Sequence, residues 1–156
     1  MTDTHIPGEL DLRFEARPDW TRVVLAHADR ALSSLAIIPF TLRVGRALVR
    51  MDGIGGVGTD AEYRHRGFAR RVLEAAVDRM RAGDAALSML YGIPDIYPKF
   101  GYATAGPDPL LFLAVRPPAP PLPEGWNSRP FHREDLPAIR DLYGRNTREA
   151  VGAAVR

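Results

Sequence analysis

The chain contains no cysteine and only one lysine. Without cysteine it has no disulfide bonds, no thiolate metal ligands and no route through an acyl-cysteine intermediate. Because Lys99 is the single lysine, all the other members of the 21 basic residues are arginines. The planar guanidinium group of arginine suits bidentate contacts with phosphate. These shortages favour phosphate recognition over thiol chemistry.

Long apolar runs, a large net charge and clustered metal ligands are also missing. The net charge is +2 and there is no long basic run, so nucleic acid is not an expected partner. No segment reaches membrane-spanning length, and the first residues lack the features of a signal peptide. We therefore expect a cytoplasmic protein with no membrane partner. The histidines lack metal-ligand spacing, and no metal is predicted.

The clearest local patterns are those of a hairpin and a helix. Residues 35–44 and 47–52 are rich in β-formers and flank a tight turn that begins at Gly45. From 68 to 80 the apolar positions follow helical spacing, and Gly83 stands where a helix would end. Weaker patterns predict a short strand at 10–14, helical character at 20–28, a buried strand at 85–91, a short helical turn at 94–100 opened by its proline, and a strand at 110–115.

The C-terminal third changes in composition. Residues 116–123 hold five of the 14 prolines, which indicates a semi-rigid polyproline linker. Beyond it, 129–131 are predicted as a strand stub and 134–143 as a helix with one apolar face. We divide the chain into a domain at 1–115, a linker at 116–128 and a strand-helix extension at 129–156.

A glycine run lies between the hairpin and the helix. Gly53, Gly55 and Gly58 satisfy the G-x-G-x-x-G pattern of dinucleotide-binding folds. In that fingerprint the helix begins within the glycines, whereas here nine further residues precede it. A P-loop is excluded because no lysine follows the glycines. A dinucleotide oxidoreductase therefore stays only as a weak alternative.

A better pattern follows at Arg64-x-x-Gly67-x-Ala69. A glycine there lets backbone approach a pyrophosphate, an alanine keeps the first helical turn narrow, and the N–H groups at the helix start converge on the anion. The motif resembles the coenzyme A signature of the GNAT acetyltransferase family. The resemblance implies that acetyl-coenzyme A is the cosubstrate and that its pyrophosphate is bound by Arg64, His65, Arg66, Gly67, Phe68, Ala69 and Arg70.

The strand before this signature carries a second part of the resemblance. In the family it splays from its neighbour, so that its end offers N–H and C=O groups to the amides of pantetheine. Val57, Gly58 and Thr59 match that place, and a backbone N–H near Val57 would donate to the thioester oxyanion. A strand with a glycine bulge is the structural alternative, and the two are compatible.

The third part of the resemblance is the segment Tyr97-x-x-Phe-Gly-Tyr. In the family this tyrosine protonates the departing thiolate, which makes Tyr97 the expected general acid. A phenol has an ordinary pKa near 10 and a thiol one of about 8.5, so a phenol is chemically suited to donate to a thiolate. A half-buried packing role is the alternative. Gly92 and Ile93 match positions that touch the pantetheine arm.

The closest resemblance is to the enhanced intracellular survival branch of the family, and it covers residues 31–115. Residues 1–30 are shorter than the family's acceptor-side elements. Residues 129–143 resemble the opening of a second such domain. Either the chain is a fragment of a longer tandem enzyme, or its C-terminal helix packs back, or onto a neighbour, to cover the missing layer.

The resemblance implies an α/β (α+β) fold: a mixed, mostly antiparallel sheet with a splayed strand pair and flanking helices. It implies an N-acetyltransferase acting by direct attack of a small-molecule or peptide amine in a ternary complex. A catalytically silent coenzyme A-binding or interaction module is the alternative. The sequence does not identify the base: Asp52 and Glu62 are candidates, and in the resembled branch the chain-terminal carboxylate serves. Homo-oligomerisation through the C-terminal extension is left open.

Overall fold

The structure, a computed structural model, describes residues 9–93, 95–105, 121–150 and 154–155. These residues fall into two compact units, one running up to Ala103 and including the residues from Glu149, the other covering Thr104–Arg148. The elements, in chain order, are β1 (Leu10–Ala16), β2 (Thr21–His27), β3 (Arg30–Val44), β4 (Ala47–Thr59), a first 3-10 turn (Ala61–Tyr63), α1 (Phe68–Arg81), β5 (Leu87–Met89), a second 3-10 turn (Tyr97–Phe100), a third (Arg133–Asp135), α2 (Leu136–Asn146) and β6 (Ala154–Val155).

The first unit is built on one sheet in the order β1-β2-β3-β4-β5. The first four strands form an antiparallel meander, whereas β5 runs parallel to β4 and is reached through α1. The two-residue strand β6 pairs antiparallel with β3. The mixed, mostly antiparallel sheet with a flanking helix confirms the predicted fold class.

The β3–β4 hairpin forms as predicted and is longer than its sequence pattern. Gly45 adopts a φ of 59°, a left-handed conformation that a tight hairpin turn requires and that glycine adopts without strain. The strand that follows does not stop at position 52 but continues through the glycines to Thr59. The glycine run is thus part of a strand.

The predicted helical character at 20–28 is wrong, because this segment forms β2, while the strand predicted at 10–14 is confirmed as β1. Four consecutive side chains of β2 have no exposed surface: Val23, Val24, Leu25 and Ala26. A strand covered on both faces has a continuous apolar run instead of alternation, so its sequence carries no period of two.

Helix α1 packs across β2, β3 and β4 and supplies half of the core. Its buried residues are the ones that the helical spacing indicates: Phe68, Val72, Leu73, Ala76, Val77 and Met80. On the sheet side they meet Val23, Leu25, Leu32, Leu35, Ile37 and Ile54. The helix ends at Arg81, and the N–H of Gly83 donates to the Met80 carbonyl (3.1 Å) just beyond it.

The elements after α1 are shorter and more exposed than predicted. The strand expected at 85–91 is reduced to β5, and its ends are open to solvent, with Leu87 49% and Met89 36% exposed. The helical turn expected at 94–100 begins only at Tyr97, with Pro98 in its first turn. The strand predicted at 110–115 lies outside the described residues.

In the second unit, α2 confirms the predicted helix, but residues 129–131 do not form a strand. Arg129 instead binds the Asp135 carboxylate (2.8 Å), which also accepts from the His132 N–H. The Arg129 guanidinium, helped by that N–H, lowers the pKa of Asp135 to about 2. No residue of α2 is buried. Of the helices in the described residues, none has the length and apolar character needed to cross a membrane.

Candidate functional site

The sheet opens between β4 and β5. Strand β4 pairs with β3 up to Thr59, apart from one bulge, but it pairs with β5 only at Met51–Gly53, opposite Leu87–Met89. Among the described residues, the six positions of β4 after Gly53 therefore have no strand on the β5 side. Unpaired N–H and C=O groups along a strand edge can bind the amides of an extended ligand as an added strand would.

A bulge in β4 marks the opening. The register passes from Gly55 opposite Ala36 to Gly58 opposite Ser34, so β4 contains one residue more than β3 at this point. Gly56, with a φ of 61°, takes the left-handed conformation of such bulges. The structure therefore places Val57, Gly58 and Thr59, the predicted pantetheine-binding residues, at the open edge and directly after the bulge.

The loop from β4 to α1 is held at its start by Asp60. Its carboxylate accepts from the Glu62 N–H (3.2 Å), and its own N–H donates to the Leu32 carbonyl (2.9 Å). These bonds tie the first 3-10 turn to the end of β4 and to β3. Asp60 was not among the predicted site residues, although an aspartate before a turn is a recognisable capping signal.

The start of α1 has the properties of an anion site. His65 (φ 63°) and Gly67 (φ 77°) are both left-handed, a backbone arrangement that turns N–H groups toward one point. The first intrahelical bond comes from the Arg71 N–H to the Gly67 carbonyl (3.2 Å), and no side chain caps the helix start. The first turn carries no acid. The N–H groups of Phe68, Ala69 and Arg70 are thus left for a ligand.

The space beside Gly67, just before these N–H groups, is open. A Cβ atom added to Gly67 would meet no heavy atom within 4 Å. The three predicted arginines differ in their contacts. Arg64 donates to the Thr59 carbonyl (3.5 Å), and the Arg66 guanidinium lies over the Tyr63 ring, 5.6 Å from its centroid. Arg70 lies on the first turn of α1. The residues present therefore fit a pyrophosphate.

A residue distant in sequence joins this loop. The guanidinium of Arg30, the first residue of β3, donates to Asp60 (2.7 Å) and Glu62 (2.8 Å) and lies over the Tyr63 ring, 4.9 Å from its centroid. This hydrogen bond to Arg30, followed by the one from the Glu62 N–H, lowers the pKa of Asp60 below its ordinary value. Glu62, a candidate base, is thus occupied by an ion pair.

Tyr97, the predicted acid, is half-buried and packs within its own segment. A Cβ atom at Gly92 would collide with the Tyr97 ring, so only glycine allows the two to pack this closely. The Tyr102 ring meets Tyr97 edge to face, with centroids 6.2 Å apart. None of the described residues hydrogen-bonds the Tyr97 hydroxyl, whereas the Tyr102 hydroxyl is paired with Ser88 Oγ (2.6 Å).

The two titratable groups with pKa values raised by burial lie on neighbouring parts of the first unit. Burial raises the pKa of Tyr102, and the hydrogen bond with Ser88 partly opposes this. Burial also raises the pKa of Asp52, which pairs with Ser88 in the β4–β5 register. Because Asp52 and Ile54 are two residues apart on one strand, both point to the α1 face. Asp52 is the candidate base that the structure leaves without an ion pair among the described residues.

The opposite face of the sheet is apolar around the opening. Phe40 pairs with Met51, and Ile38 with Gly53, while Met89 adjoins Gly53 on the other side. Ile38 is 42% exposed.

The connection between β1 and β2 is short. It consists of Arg17–Trp20 and is closed by a hydrogen bond from the Arg17 N–H to the Trp20 carbonyl (2.9 Å).

Some predicted site residues are brought together and others are not. Residues 57–59 and 64–70 form one continuous edge and loop. Ile93 is 60% exposed, and its contact in the structure is local, its carbonyl accepting from the Ile96 N–H (3.2 Å). Sequence reasoning missed Arg30 and Ser88 and gave Tyr102 no role, because contacts between residues so far apart in the chain leave no local pattern. No cluster of metal-ligating side chains occurs among the described residues.

An open strand edge that leads into an uncapped helix start is typical of a domain that binds a phosphorylated ligand with an extended, amide-bearing arm. A family model of the acetyltransferase (GNAT) domain matches residues 2–105, more than half of the chain. The chain therefore belongs to the GNAT acetyltransferase family, whose cosubstrate is acetyl-coenzyme A. No curated protein matches the chain.

Solved structures share this fold. A conserved Enterococcus faecalis protein of unknown function, described as a probable N-acyltransferase, has a TM-score of 0.62 and 20% identity over 88% of this chain, which spans 36% of that protein. A Trypanosoma brucei acetyltransferase gives 0.52 and 18%, covering 61% of this chain and 70% of its own. Arabidopsis thaliana glucosamine-6-phosphate N-acetyltransferase gives 0.52 and 14%, covering 62% and 68%. At these identities the likeness shows the fold.

Proposed function

We propose that this chain is the acetyl-coenzyme A-binding domain of an N-acetyltransferase that acetylates an amine by direct attack in a ternary complex. The observation that carries the proposal is the continuity of the open β4 edge with the uncapped start of α1. One surface thereby offers strand-like partners for pantetheine and N–H donors for the pyrophosphate.

In this proposal the binding residues are divided along the cosubstrate. The backbone of Val57, Gly58 and Thr59 binds the pantetheine amides, with Gly92 and Ile93 on the other side of the arm. The pyrophosphate is held by the N–H groups of residues 65–70, with arginine side chains of the same loop adding charge-assisted bonds. The left-handed conformations at His65 and Gly67 support this arrangement.

The proposed chemistry forms one C–N bond and breaks one C–S bond. The amine nitrogen attacks the thioester carbonyl carbon, and the N–H of Val57 stabilises the oxygen that gains negative charge. When the C–S bond breaks, Tyr97 gives its hydroxyl proton to the leaving sulfur and regains one from the nitrogen through solvent. With no cysteine in the chain, the acetyl group passes directly to the amine.

An acceptor amine must lose its ammonium proton before it attacks, because its ordinary pKa is about 10. We propose Asp52 as the base, acting through water. Its burial and its raised pKa support this role, since a base whose pKa lies nearer to neutrality accepts protons more effectively. Glu62 is less suited because Arg30 already binds its carboxylate.

Wider features of the protein are also proposals. We place the chain in the enhanced intracellular survival branch of the family, and we interpret residues 116–128 as a linker and 129–156 as a strand-helix extension that resembles the start of a second GNAT-like domain. The chain spans 36% of the length of the Enterococcus protein. We further propose a cytoplasmic enzyme, a small-molecule or peptide amine as the acceptor, and self-association through residues 129–156.

Calorimetry with acetyl-coenzyme A and with NAD tests the binding proposal. We expect acetyl-coenzyme A to bind and NAD not to bind. NAD binding without coenzyme A binding would instead indicate a dinucleotide-dependent protein.

An acetylation assay against a panel of amines tests the activity, with this chain and a longer parent compared side by side. Turnover by either protein supports the enzyme. Coenzyme A binding with no turnover by either would favour the silent binding module.

A further inference from the structure

A five-residue cluster links the β2–β3 turn to the loop before α1. Arg30 is in its centre, and its partners are Asp60, Glu62 and Tyr63, with Arg66 on the Tyr63 ring. Arg30 reaches them from a tight turn in which Ala28 is left-handed (φ 49°). None of the motifs of the proposed function includes Arg30, yet its guanidinium contacts three side chains of the loop.

The charges of the cluster bear directly on anion binding. Asp60 and Glu62 lie shortly before the N–H groups that begin α1, and two uncompensated carboxylates there would repel a pyrophosphate. One Arg30 nitrogen contacts both carboxylates, at 2.7 and 2.8 Å. Arg30 consequently keeps the loop electropositive.

The same contacts locate the loop. Arg30 Nη1 donates to the Tyr63 hydroxyl (3.2 Å) while its guanidinium lies over the ring, and Tyr63 packs against the hydrophobic core. The first 3-10 turn is therefore held between β3 and the core just before His65 and Gly67 take their left-handed conformations. Each ion pair is exposed and weak alone, but one planar group with several partners restricts the geometry more than separate pairs do.

We propose that Arg30 is a positioning residue for the cosubstrate pyrophosphate: it offsets part of the negative charge of Asp60 and Glu62 and holds the turn from which the phosphate-binding loop begins. The proposal rests on the proposed function, because it concerns the same acetyl-coenzyme A site. Arg30 acts through the loop and does not touch the reacting atoms.

The test is calorimetry of the full 156-residue chain with acetyl-coenzyme A. We expect Arg30→Gln to weaken binding about fivefold, the size of effect that exposed charge pairs produce. Glu62→Gln combined with Arg30→Gln should recover most of the affinity, because it removes one uncompensated carboxylate. Glu62 is the suitable partner for this double variant, since its side chain, unlike that of Asp60, does not cap the turn.

Two further measurements separate charge compensation from a general structural effect. The loss in Arg30→Gln should shrink at high salt, because exposed carboxylates are screened. Arg13→Gln is the matched control: Arg13 also pairs with two carboxylates, Asp11 and Glu15, but on β1, and this variant should bind acetyl-coenzyme A like the unchanged chain.

Unchanged binding by Arg30→Gln would overturn the inference, as would an equal loss in Arg13→Gln, or a loss that neither the second substitution nor salt reduces. If the unchanged chain itself fails to bind acetyl-coenzyme A, the proposed function fails first, and the inference with it. If it binds and only the Arg30 results disagree, the proposed function stands and the role of Arg30 is wrong.

Discussion

Two short stretches of β4 differ in their pairing with neighbouring strands. At Met51–Gly53, β4 is hydrogen-bonded to β3 on one side and to β5 on the other. At Gly55–Thr59 it is paired with β3 alone among the described strands, is interrupted by a bulge at Gly56 and carries three glycines. The first stretch uses the backbone groups of both edges for the sheet, and the second leaves those of one edge without a partner strand among the described residues. A single strand can thus be paired on both edges along one part and on only one edge along another.

The largest effect should come from Tyr97, the proposed general acid. Tyr97→Phe should lower kcat about a hundredfold, the usual contribution of a general acid, while the Kd for acetyl-coenzyme A stays the same. The measurement is release of free thiol with the best acceptor amine. Tyr91→Phe is the control, because Tyr91 is 75% exposed and should have no effect. Equal turnover by Tyr97→Phe at every pH would remove it as the acid.

A smaller effect should come from the open stretch itself. In Gly58→Ala the new Cβ meets only the Gly56 carbonyl oxygen at 3.9 Å, an ordinary contact, so the melting temperature should not change. The methyl group would, however, stand where pantetheine must approach the backbone. We expect acetyl-coenzyme A binding, measured by calorimetry, to weaken about tenfold. Unchanged affinity would place the arm elsewhere.

A substitution in the paired stretch, Met51–Gly53, should instead lower stability and leave acetyl-coenzyme A affinity unchanged. In Gly53→Ala the new Cβ lies 3.0 Å from Phe40 Cε1, so the phenyl ring must shift. We expect a loss of about 1 kcal/mol in the free energy of unfolding, typical of mild overpacking, with acetyl-coenzyme A affinity retained. Chemical denaturation measures the first and calorimetry the second. Gly144→Ala, where a Cβ meets nothing within 4 Å, is the control and should not destabilise. A large loss of affinity in Gly53→Ala would contradict the division of β4.

The smallest effect concerns Asp52 in the paired stretch. Burial raises its folded pKa above the ordinary 3.8, so the folded carboxyl keeps a proton that the unfolded one has lost. Its contribution to stability is therefore present below pH 3.8 and is lost as the pH rises through the folded pKa. Asp52→Asn, which does not titrate, should gain stability relative to the unchanged chain as the pH rises from about 3 to 7.

Melting temperatures of both proteins across that range give the measurement. The difference should be small, because Asp52 is only partly buried. A difference that is constant with pH, or that changes in the opposite direction, would show that burial does not raise the pKa of the Asp52 carboxyl.

Local patterns predicted those parts of the molecule in which neighbours in sequence are neighbours in space. The spacing of apolar residues from Phe68 to Met80 predicted both α1 and its buried face, and Gly45 predicted the hairpin turn. The Arg64-x-x-Gly67-x-Ala69 motif predicted an anion site at the start of α1, where the left-handed His65 was not foreseen.

The wrong predictions concern strands whose burial differs from what their local sequence pattern indicates. Strand β2 has an apolar run without alternation because both of its faces are covered, and it was predicted as helix. Strand β5 was predicted as buried and long, but it pairs with β4 over only three positions and exposes Leu87 and Met89. Intrinsic preferences are weak compared with such tertiary effects.

The sequence by itself determined the hairpin, α1 and the family, because each depends on the order and spacing of nearby residues. Only the tertiary structure decided that β4 is paired on both sides at Met51–Gly53 and open beyond it, that Tyr102 is bonded to Ser88, and that Arg30 reaches the loop. The reason is physical: strand register and contacts between distant residues are fixed by packing, which no local pattern encodes.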